Sequence, residues 1–460
     1  MVVVMPLPPP PIRKANPMSV RPDFSIEIHQ NRFLPVGGTE VHAIARVVAQ
    51  VEADAAAWGE RSAAAAEVII VDTSASMVGE RLVAAKRAAK AAVDSLRDGV
   101  NFAVVSGSYK AAMVYPRDPL LAPATDRHRK QAKNAISELS AAGGTRMGRW
   151  LTLASVLFAD HQDGIRHAIL LTDGRNEHET QEELDAALAE CVGRFVCDCR
   201  GVDAEWEPAE LRRVASRLLG GFDMVADSRN LAADFEDMIE RVMGKVVADV
   251  FLRIWTPHGA SVRFVKQRYP SLRDMTDRRA EVKADAAGPA TGDYPTGIWG
   301  SEKRDYHVCV TVPAGDPYQM MLAARVSTVL PGSGGASDEV LADGRVLVEW
   351  TDDEPQSTRL DQSVEHYAKQ EELADSVQKG LEAYRKGDSN TASREFRRAF
   401  DLAGETGNTE VSTRLDKVFD PATGEVRPKE HVDKVDEKDL DTQSSEYVQP
   451  PREDGDPNAP

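Results

Sequence analysis

Two hydrophobic patterns alternate over the middle of the chain. Short apolar runs, such as residues 68–71 and 167–171, predict strands that are buried on both faces, as in parallel sheets covered by helices. Helical periodicity separates these runs, for example over residues 125–139 and 147–160. Regular alternation of strand and helix over residues 66–243 therefore predicts a doubly wound α/β domain.

A different pattern flanks this domain on both sides. Residues 24–30 and 40–49 alternate apolar and polar positions, and so do five segments within residues 246–352. Such alternation, with frequent turn residues, is typical of a β-sandwich. Two strands cannot form a stable unit by themselves. We therefore expect the strands within residues 21–60 to join the later sandwich, so that the α/β domain is inserted in it or flanked by it.

The remaining segments are predicted from helical spacing and composition. Residues 360–419 have the pattern of a helical hairpin, which is either a tetratricopeptide-like repeat or an ordinary pair of helices. Residues 420–460 are acidic and end in prolines, which predicts a disordered tail. Residues 1–20 are Pro-rich and are also predicted to be disordered, and the Ala-rich residues 53–66 are interpreted as a linker.

Charge and cysteine content narrow the classes of function. The 460 residues carry a formal net charge of −18, which argues against nucleic acid or an anionic membrane as a partner. No apolar run approaches the length needed to span a bilayer. Four cysteines in so long a chain do not make a disulfide framework, which favours a reducing, cytoplasmic location.

Five oxygen-bearing side chains follow the predicted buried strands. Asp72, Ser74 and Ser76 come directly after the first buried strand. Thr145 lies on a glycine-flanked loop before a helix, and Asp173 ends the second buried strand. Hard oxygen donors suit Mg²⁺ or Mn²⁺ and are poor ligands for soft metals. Because ligands bind at the carboxyl ends of strands in open α/β sheets, these residues are the predicted metal ligands.

This set of motifs resembles the metal-ion-dependent adhesion site of bacterial proteins with a von Willebrand factor type A domain, which has a Rossmann-like fold. The resemblance covers roughly residues 66–243. It implies that Ser74, Ser76 and Thr145 bind the metal directly, while Asp72 and Asp173 act largely through water. An acidic side chain of a protein partner would fill the remaining position.

The resemblance leads us to expect a Mg²⁺-dependent adaptor or scaffold that is not an enzyme. Asp72 stands where aspartyl-phosphate hydrolases have their nucleophile, but Ser74 replaces the second Asp that those enzymes typically need. Two alternatives remain: a metal-dependent hydrolase that uses the same site, and a structural scaffold whose site is vestigial. The chain does not identify the partner or the oligomeric state.

Two further groups of residues have competing interpretations. Three clustered cysteines and a distant fourth are better explained as small core side chains than as metal ligands; they are Cys191, Cys197, Cys199 and Cys309. His178, with an acidic residue on either side, either lies at the rim of the metal site or belongs to the solvated first turn of a helix. The second interpretation is favoured.

Overall fold

The structure is a computed structural model that describes most of the chain. The described residues are 22–51, 65–162, 164–173, 176, 178–202, 208–225, 231–281, 291–332, 337–420, 427–428, 434–444 and 447–450. The predicted disordered start at residues 1–20 lies outside them. Residues 53–64 of the predicted linker also lie outside them, but Ala65 and Ala66 belong to a strand, so the linker was predicted to end too late.

The elements fall into three groups along the chain. The N-terminal strands and the α/β domain contain β1 (Asp23–His29), β2 (Phe33–Pro35), β3 (Glu40–Gln50), β4 (Ala65–Asp72), α1 (Glu80–Ser95), β5 (Asn101–Gly107), β6 (Ala111–Tyr115), β7 (Ala122–Pro123), α2 (Asp126–Ser137), α3 (Met147–Leu157), β8 (Ile165–Thr172), α4 (Gln181–Cys191), β9 (Val196–Val202), α5 (Pro208–Arg217), β10 (Leu219–Val225) and α6 (Leu231–Met243). The second β segment contains β11 (Val247–Trp255), β12 (Ser261–Tyr269), β13 (Arg273–Asp274), β14 (Ala280–Glu281), β15 (Thr291–Trp299), β16 (Glu302–Thr311), β17 (Met320–Leu330) and β18 (Glu339–Thr351). The C-terminal group contains α7 (Glu354–Thr358), α8 (Gln362–Arg385), α9 (Ser389–Thr406), α10 (Thr409–Val418), β19 (Phe419–Asp420), β20 (Arg427–Pro428) and α11 (Lys434–Gln443).

The α/β domain is built on one sheet with the strand order β10-β9-β8-β4-β5-β6, with β7 paired to β5. The pairs from β10 to β5 are parallel, and β6 is antiparallel at the edge. Every residue of β4 and β8 is buried, as expected for central strands covered by helices on both faces. The predicted doubly wound fold is thus confirmed.

The β-sandwich consists of two sheets that enclose one apolar core. One sheet has the order β1-β3-β16-β12-β13 and the other β14-β15-β11-β17-β18-β2. β3 pairs with β16 over ten residues, and β2 pairs with the end of β18. Since both sheets take strands from before and after the α/β domain, that domain is inserted in the sandwich, as the hydrophobic pattern indicated.

The C-terminal group differs from its prediction. The hairpin of α8 and α9 is present, and α8 packs on the sandwich, where Tyr367 donates a 2.6 Å hydrogen bond to Asp305. However, residues 420–460 were predicted to be disordered, and this is wrong for α11. Leu440 of α11 is buried in the core of the helical group, and Asp441 accepts a hydrogen bond from Arg385 at 2.9 Å.

Two strands of the α/β sheet, the short β7 and β10, were not predicted at all. β10 carries Gly220 and Gly221, and because glycine is depleted in strands, its sequence does not indicate a strand. None of the helices among the described residues has the length and apolar character that a membrane crossing requires.

Candidate metal centre

The predicted site lies where two central strands end side by side. β4 and β8 are parallel neighbours in which Val71 lies opposite Leu171. The next residues, Asp72 and Thr172, are therefore adjacent, and Thr172 Oγ1 donates a 2.6 Å hydrogen bond to Asp72 Oδ2. This register brings Asp72 and Asp173 to the same edge of the sheet, although they are 101 residues apart in the sequence.

Hydroxyl and carboxylate oxygens form a continuous chain of contacts across this edge. Ser74 donates its backbone N–H to Asp72 Oδ1 at 2.7 Å. The Ser74 and Ser76 hydroxyls are 3.0 Å apart, and Ser76 Oγ donates to Asp173 Oδ1 at 2.9 Å. The turn Ala75–Met77 is a single 3-10 turn, which curls the two serines toward Asp173. Four of the five predicted ligands therefore lie in one hydrogen-bonded cluster.

The fifth predicted ligand, Thr145, lies on the loop that packs against this turn. Ala75 donates its N–H to Gly143 O at 2.8 Å, and Ala142 donates to Thr73 O at the same distance. The side chain of Thr145 is buried, with 4% exposure. These backbone contacts fix the loop beside the two serines. The backbone N–H and C=O of Thr145 both contact His178, and these contacts do not join its hydroxyl to the other four ligands.

Two aromatic rings cover the same loop. Gly143 has φ +86, and a Cβ added at Gly144 would lie 2.3 Å from His178 Nδ1 and 2.6 Å from Tyr109. The loop can therefore pass beneath these rings only with glycine. His178 donates its backbone N–H to Thr145 O at 3.3 Å. The favoured interpretation of His178, a solvated first helical turn, is wrong: α4 begins later, and His178 lies at the rim of the site.

Two polar residues hold the start of α3: Asn176, which the sequence analysis missed, and Glu179, which it noted only as an acidic neighbour of His178. Asn176 Oδ1 accepts from the N–H of Met147 at 3.0 Å, and Glu179 Oε2 accepts from the N–H of Gly148 at 2.9 Å. They satisfy N–H groups that every helix leaves free at its first turn. These contacts could not be inferred from the sequence, because Glu179, whose carboxylate caps the amino end of α3, lies far from that helix along the chain.

Burial makes it unfavourable for the two carboxyl groups of the site, Asp72 and Asp173, to ionise. Asp72 is fully buried, and burial raises its pKa to about 6, against hydrogen bonds from Thr172 and Ser74 that lower it. Burial also raises the pKa of Asp173, although Ser76 and Arg81 act in the opposite direction. A divalent cation would offset the cost of ionising both carboxylates.

Arg81 is a functional neighbour that the sequence analysis missed. Its Nη1 donates to Asp173 Oδ2 at 2.9 Å and to the Ser76 carbonyl at 3.2 Å. Arg81 occupies the second position of α1, one turn after the serine motif. A cation therefore already contacts one of the two carboxylates.

The side chains at this centre fit a hard divalent cation. All five predicted ligands offer oxygen, and no sulfur or imidazole nitrogen belongs to the set. Such a donor set suits Mg²⁺ or Mn²⁺. Two carboxylates also give the centre the negative charge that a divalent cation requires.

A second group of potential ligands lies on the sandwich, far from these strand ends in the sequence. Ligand atoms of Glu40, His42 and Cys309 lie within 4.8 Å of one another. His42 Nε2 is 3.8 Å from Cys309 Sγ, and its Nδ1 is 3.0 Å from His307 Nε2. Arg268 Nη2 lies 3.0 Å from His307 Nδ1.

The tautomers in this second group argue against a metal. Arginine can only donate, so His307 Nδ1 accepts from Arg268 and the proton of His307 lies on Nε2. That proton is donated to His42 Nδ1, which places the proton of neutral His42 on Nε2, the atom that faces Cys309. Burial also raises the pKa of Cys309 to about 11. A metal at this position would therefore have to displace a proton from both His42 Nε2 and the Cys309 thiol. All four cysteines are free and buried, as predicted.

Comparisons with known proteins agree with this architecture. Residues 66–223 match the family model of the von Willebrand factor type A domain, and residues 401–444 match that of the von Willebrand factor type A C-terminal domain. The second match falls on α9 to α11, the region where the sequence analysis predicted the start of a disordered tail.

Three relatives extend the comparison. A von Willebrand factor type A protein from Catenulispora acidiphila has 44% identity and a TM-score of 0.87, covering 95% of this chain and 99% of that one. The ArnB paralog VWA2 from Sulfolobus acidocaldarius has 14% identity and a TM-score of 0.58 over 93% of this chain and 100% of that one, which shows a shared fold. An uncharacterized protein from Synechocystis is 25% identical over 45% of this chain, and the match spans only 49% of that relative's length.

Proposed function

This chain belongs to the von Willebrand factor type A family, and from that premise we propose that it is a Mg²⁺-dependent protein-binding module, an adaptor or scaffold. The observation that carries the proposal is the cluster of Asp72, Ser74, Ser76 and Asp173 oxygens at the ends of β4 and β8. Domains of this family commonly mediate protein–protein interaction. A metal at this centre would supply a positive charge that an acidic side chain of a partner can bind.

Each ligand has a separate task in this proposal. Ser74, Ser76 and Thr145 offer neutral oxygens, so they hold the ion without cancelling its charge. Asp72 and Asp173 would supply negative charge to the ion, mainly through water molecules that lie between them and the metal. A partner's Asp or Glu is then attracted because little of the charge of the ion is neutralised by direct contacts.

The rim around the centre suits a protein partner. Val78 is 67% exposed and Tyr109 is 46% exposed, and both lie on the loops that surround the serines and Thr145. Exposed apolar and aromatic side chains are the usual anchors of protein interfaces. The chain as a whole carries −18, so acidic partners are repelled at long range. Contact with the ion must therefore provide the specificity.

We propose no catalytic role for the centre. A hydrolase would need a free base or nucleophile, and Asp72 is the only candidate that follows β4 directly. Both of its carboxylate oxygens accept hydrogen bonds within the protein, from Ser74 and Thr172, and the side chain is fully buried. A screen with phosphatase and nuclease substrates in Mg²⁺ tests this point, and turnover that is lost with Asp72→Asn would establish the hydrolase instead.

The decisive experiment compares metal binding with partner capture. The full-length chain is immobilised and exposed to lysate in Mg²⁺ or in EDTA, and the captured protein is then purified. Its affinity is measured for wild type, for Thr145→Ala and for Ser95→Ala, a control whose hydroxyl bonds only to its own helix. Calorimetry with Mg²⁺ is run on the same three preparations.

We expect capture only with Mg²⁺, and we expect Thr145→Ala to weaken capture more than it weakens Mg²⁺ binding. Ser95→Ala should change neither. Substituting the partner's acidic residues with amides should abolish capture. If capture survives EDTA, the metal centre is not the docking surface and a structural scaffold with a vestigial site becomes the better interpretation. A cytoplasmic location remains a prediction that fractionation can test.

A further inference from the structure

A large cavity lies where the α/β domain, the sandwich and the C-terminal helices meet. It has a volume of about 1010 Å³, which is at the upper end of the range for small-molecule sites. Its walls include Arg212 of α5, Phe222 of β10, Arg273 of β13, Gln378 of α8 and Tyr447, which follows α11. The cavity is well separated from the metal centre, because its residues surround β9, β10 and the loops beneath them rather than the ends of β4 and β8.

Three buried polar atoms of residues on the cavity wall lack a hydrogen-bond partner among the described residues. They are Arg212 Nε, Tyr447 Oη and Gln449 Nε2. Tyr447 is only 4% exposed, and Arg268 lies near its hydroxyl as a donor, so the hydroxyl proton still has no acceptor among the described residues. Buried polar groups without partners are rare and costly in native proteins. All three atoms can donate, so together they call for a group that offers several acceptor oxygens.

The fixed charges on the wall leave an arginine without an acidic partner. Asp198 contacts His167 at 3.2 Å and Asp234 contacts Arg200 at 2.8 Å, so these acids are neutralised. In contrast, Arg273 donates only to backbone carbonyls, those of Leu219 at 3.3 Å and Gly220 at 2.8 Å.

Other acids on the wall are paired or solvated. Glu410 contacts Arg414 at 3.3 Å, and Asp274 and Asp375 are exposed to solvent. Burial, with repulsion from Arg278 and Arg304, lowers the pKa of Arg273 to about 10. Among the described residues Arg273 therefore has no ion pair or hydrogen bond with an acidic side chain, and Asp198 acts on its charge only at longer range.

We propose that this cavity binds a small anionic ligand that carries carboxylate or phosphate groups. Arg273 supplies the charge, and Arg212, Tyr447 and Gln449 supply donors to the anionic oxygens. The wall combines charged and hydrogen-bonding side chains with apolar ones such as Phe222, as is usual in sites that bind small molecules. Because the donors come from all three parts of the fold, a bound anion holds them together. The proposal is independent of the metal centre and of its partner.

Binding is tested on the full-length chain without divalent metal. Citrate and pyrophosphate are the two probes, since one offers carboxylates and the other phosphates, and sodium chloride is added to equal ionic strength in every sample. Calorimetry gives the affinity, and thermal unfolding gives the stabilisation that a ligand of the folded state must produce. Tyr447→Phe removes an unpartnered hydroxyl. Tyr318→Phe is the matched control, because its hydroxyl lies on the sandwich surface and bonds to Asp352.

We expect one of the two probes to saturate and to raise the unfolding temperature, which also identifies the anionic group that is preferred. Tyr447→Phe should weaken that probe by about ten- to hundred-fold, as the loss of one hydrogen bond to a charged group does. Tyr318→Phe should leave it unchanged. The proposal is wrong if neither probe saturates at or below about 10 mM, or if both tyrosine variants bind as tightly as wild type.

Discussion

Arg81 Nη1 lies 2.9 Å from Asp173 Oδ2, so an arginine contacts the carboxylate that was predicted to help hold the metal. The side chain of Asp173 is fully buried and that of Arg81 is 23% exposed. A guanidinium in this position neutralises part of the charge that a divalent cation would use. Arg81 also acts to lower the pKa of Asp173, against the larger upward effect of burial, since a nearby cation favours the charged form of a carboxyl group.

The first prediction follows because Arg81 and a bound Mg²⁺ would compete for the carboxylate of Asp173. Arg81→Gln should raise the affinity for Mg²⁺ about five-fold, because it removes a positive charge close to the ion from a partly buried position. Isothermal titration at low ionic strength measures the change. Arg87→Gln, on the exposed face of the same helix, serves as the control and should have little effect. Weaker binding in Arg81→Gln would mean instead that Arg81 is needed to orient Asp173.

The site shows which contacts a sequence can predict. Asp72, Ser74, Ser76 and Asp173 were predicted together because parallel strands end at one edge, and strand ends can be recognised from apolar runs. Arg81 was missed because its contact depends on the direction in which α1 leaves the turn. No local pattern encodes that direction. His178 was misassigned for a similar reason: its partner Thr145 is distant in sequence.

The second prediction concerns Asp72, whose charge is costly to the fold. The group has an unfolded pKa near 3.8 and a folded pKa of about 6. Ionised Asp72 therefore lowers stability above pH 6, and this loss is relieved as pH falls from 6 toward 3.8. Asp72→Asn should abolish Mg²⁺ binding while leaving the metal-free protein at least as stable at pH 8. Calorimetry measures the loss of Mg²⁺ binding, and urea unfolding measures the stability of the metal-free protein. Undiminished Mg²⁺ affinity would show that Asp72 is not part of the site.

The third prediction concerns the discontinuous sandwich. β3 lies between β1 and β16, and its side chains Val41, Ala43, Ala45 and Val47 are buried in the sandwich core. A fragment of residues 246–351 would expose the partners of these side chains and leave an edge of β16 unpaired. We expect this fragment to aggregate or to lack a cooperative thermal transition. A soluble monomer with a sharp transition would show that the N-terminal strands are dispensable.

The fourth prediction is a dependence of stability on pH that originates at His307. Burial, with Arg268 and His42 nearby, lowers the pKa of His307 from 6.5 to about 3. The unfolded chain then takes up a proton below pH 6.5 while the folded chain does not. Stability is fully present above pH 6.5 and is lost as pH falls from 6.5 toward 3, by up to about 1.4 kcal/mol per pH unit.

Urea unfolding between pH 7.5 and 5.5 measures this slope, and wild type must be compared with a variant because Asp72 and His167, whose pKa values are raised, contribute with the opposite sign. His307→Asn keeps an acceptor for Arg268 but removes the titrating ring, so its slope should be shallower than that of wild type. His42 and His366 also have lowered pKa values, mainly through burial, and retain part of the slope. Identical slopes in wild type and variant would exclude His307 as the source.

The tail illustrates why composition alone misjudged the C-terminal region. An acidic stretch with few apolar residues has little surface to bury, and disorder is then the reasonable prediction. Here the acidic residues have specific basic partners: Asp441 accepts hydrogen bonds from Arg385 at 2.9 Å and from Arg212 at 3.4 Å. These partners lie on two different parts of the fold. Their positions could not be inferred before the fold was known.

The last prediction measures what α11 contributes through the buried side chain of Leu440. Leu440 has no exposed surface and packs in a cluster that includes Leu415, Val418 and Phe419. Leu440→Ala removes most of that side chain and leaves a cavity, so we expect it to lower the free energy of unfolding by about 2–4 kcal/mol. The control is Leu360→Ala, since Leu360 is 60% exposed and its loss should change stability by less than about 0.5 kcal/mol. Urea unfolding followed by circular dichroism compares the two variants with wild type, and limited proteolysis locates the region that opens. If α11 packs as described, Leu440→Ala is cleaved first near residues 427–444. Equal stability of the two variants would mean that α11 does not pack on the helical group in solution, and the original prediction of a disordered tail would then stand.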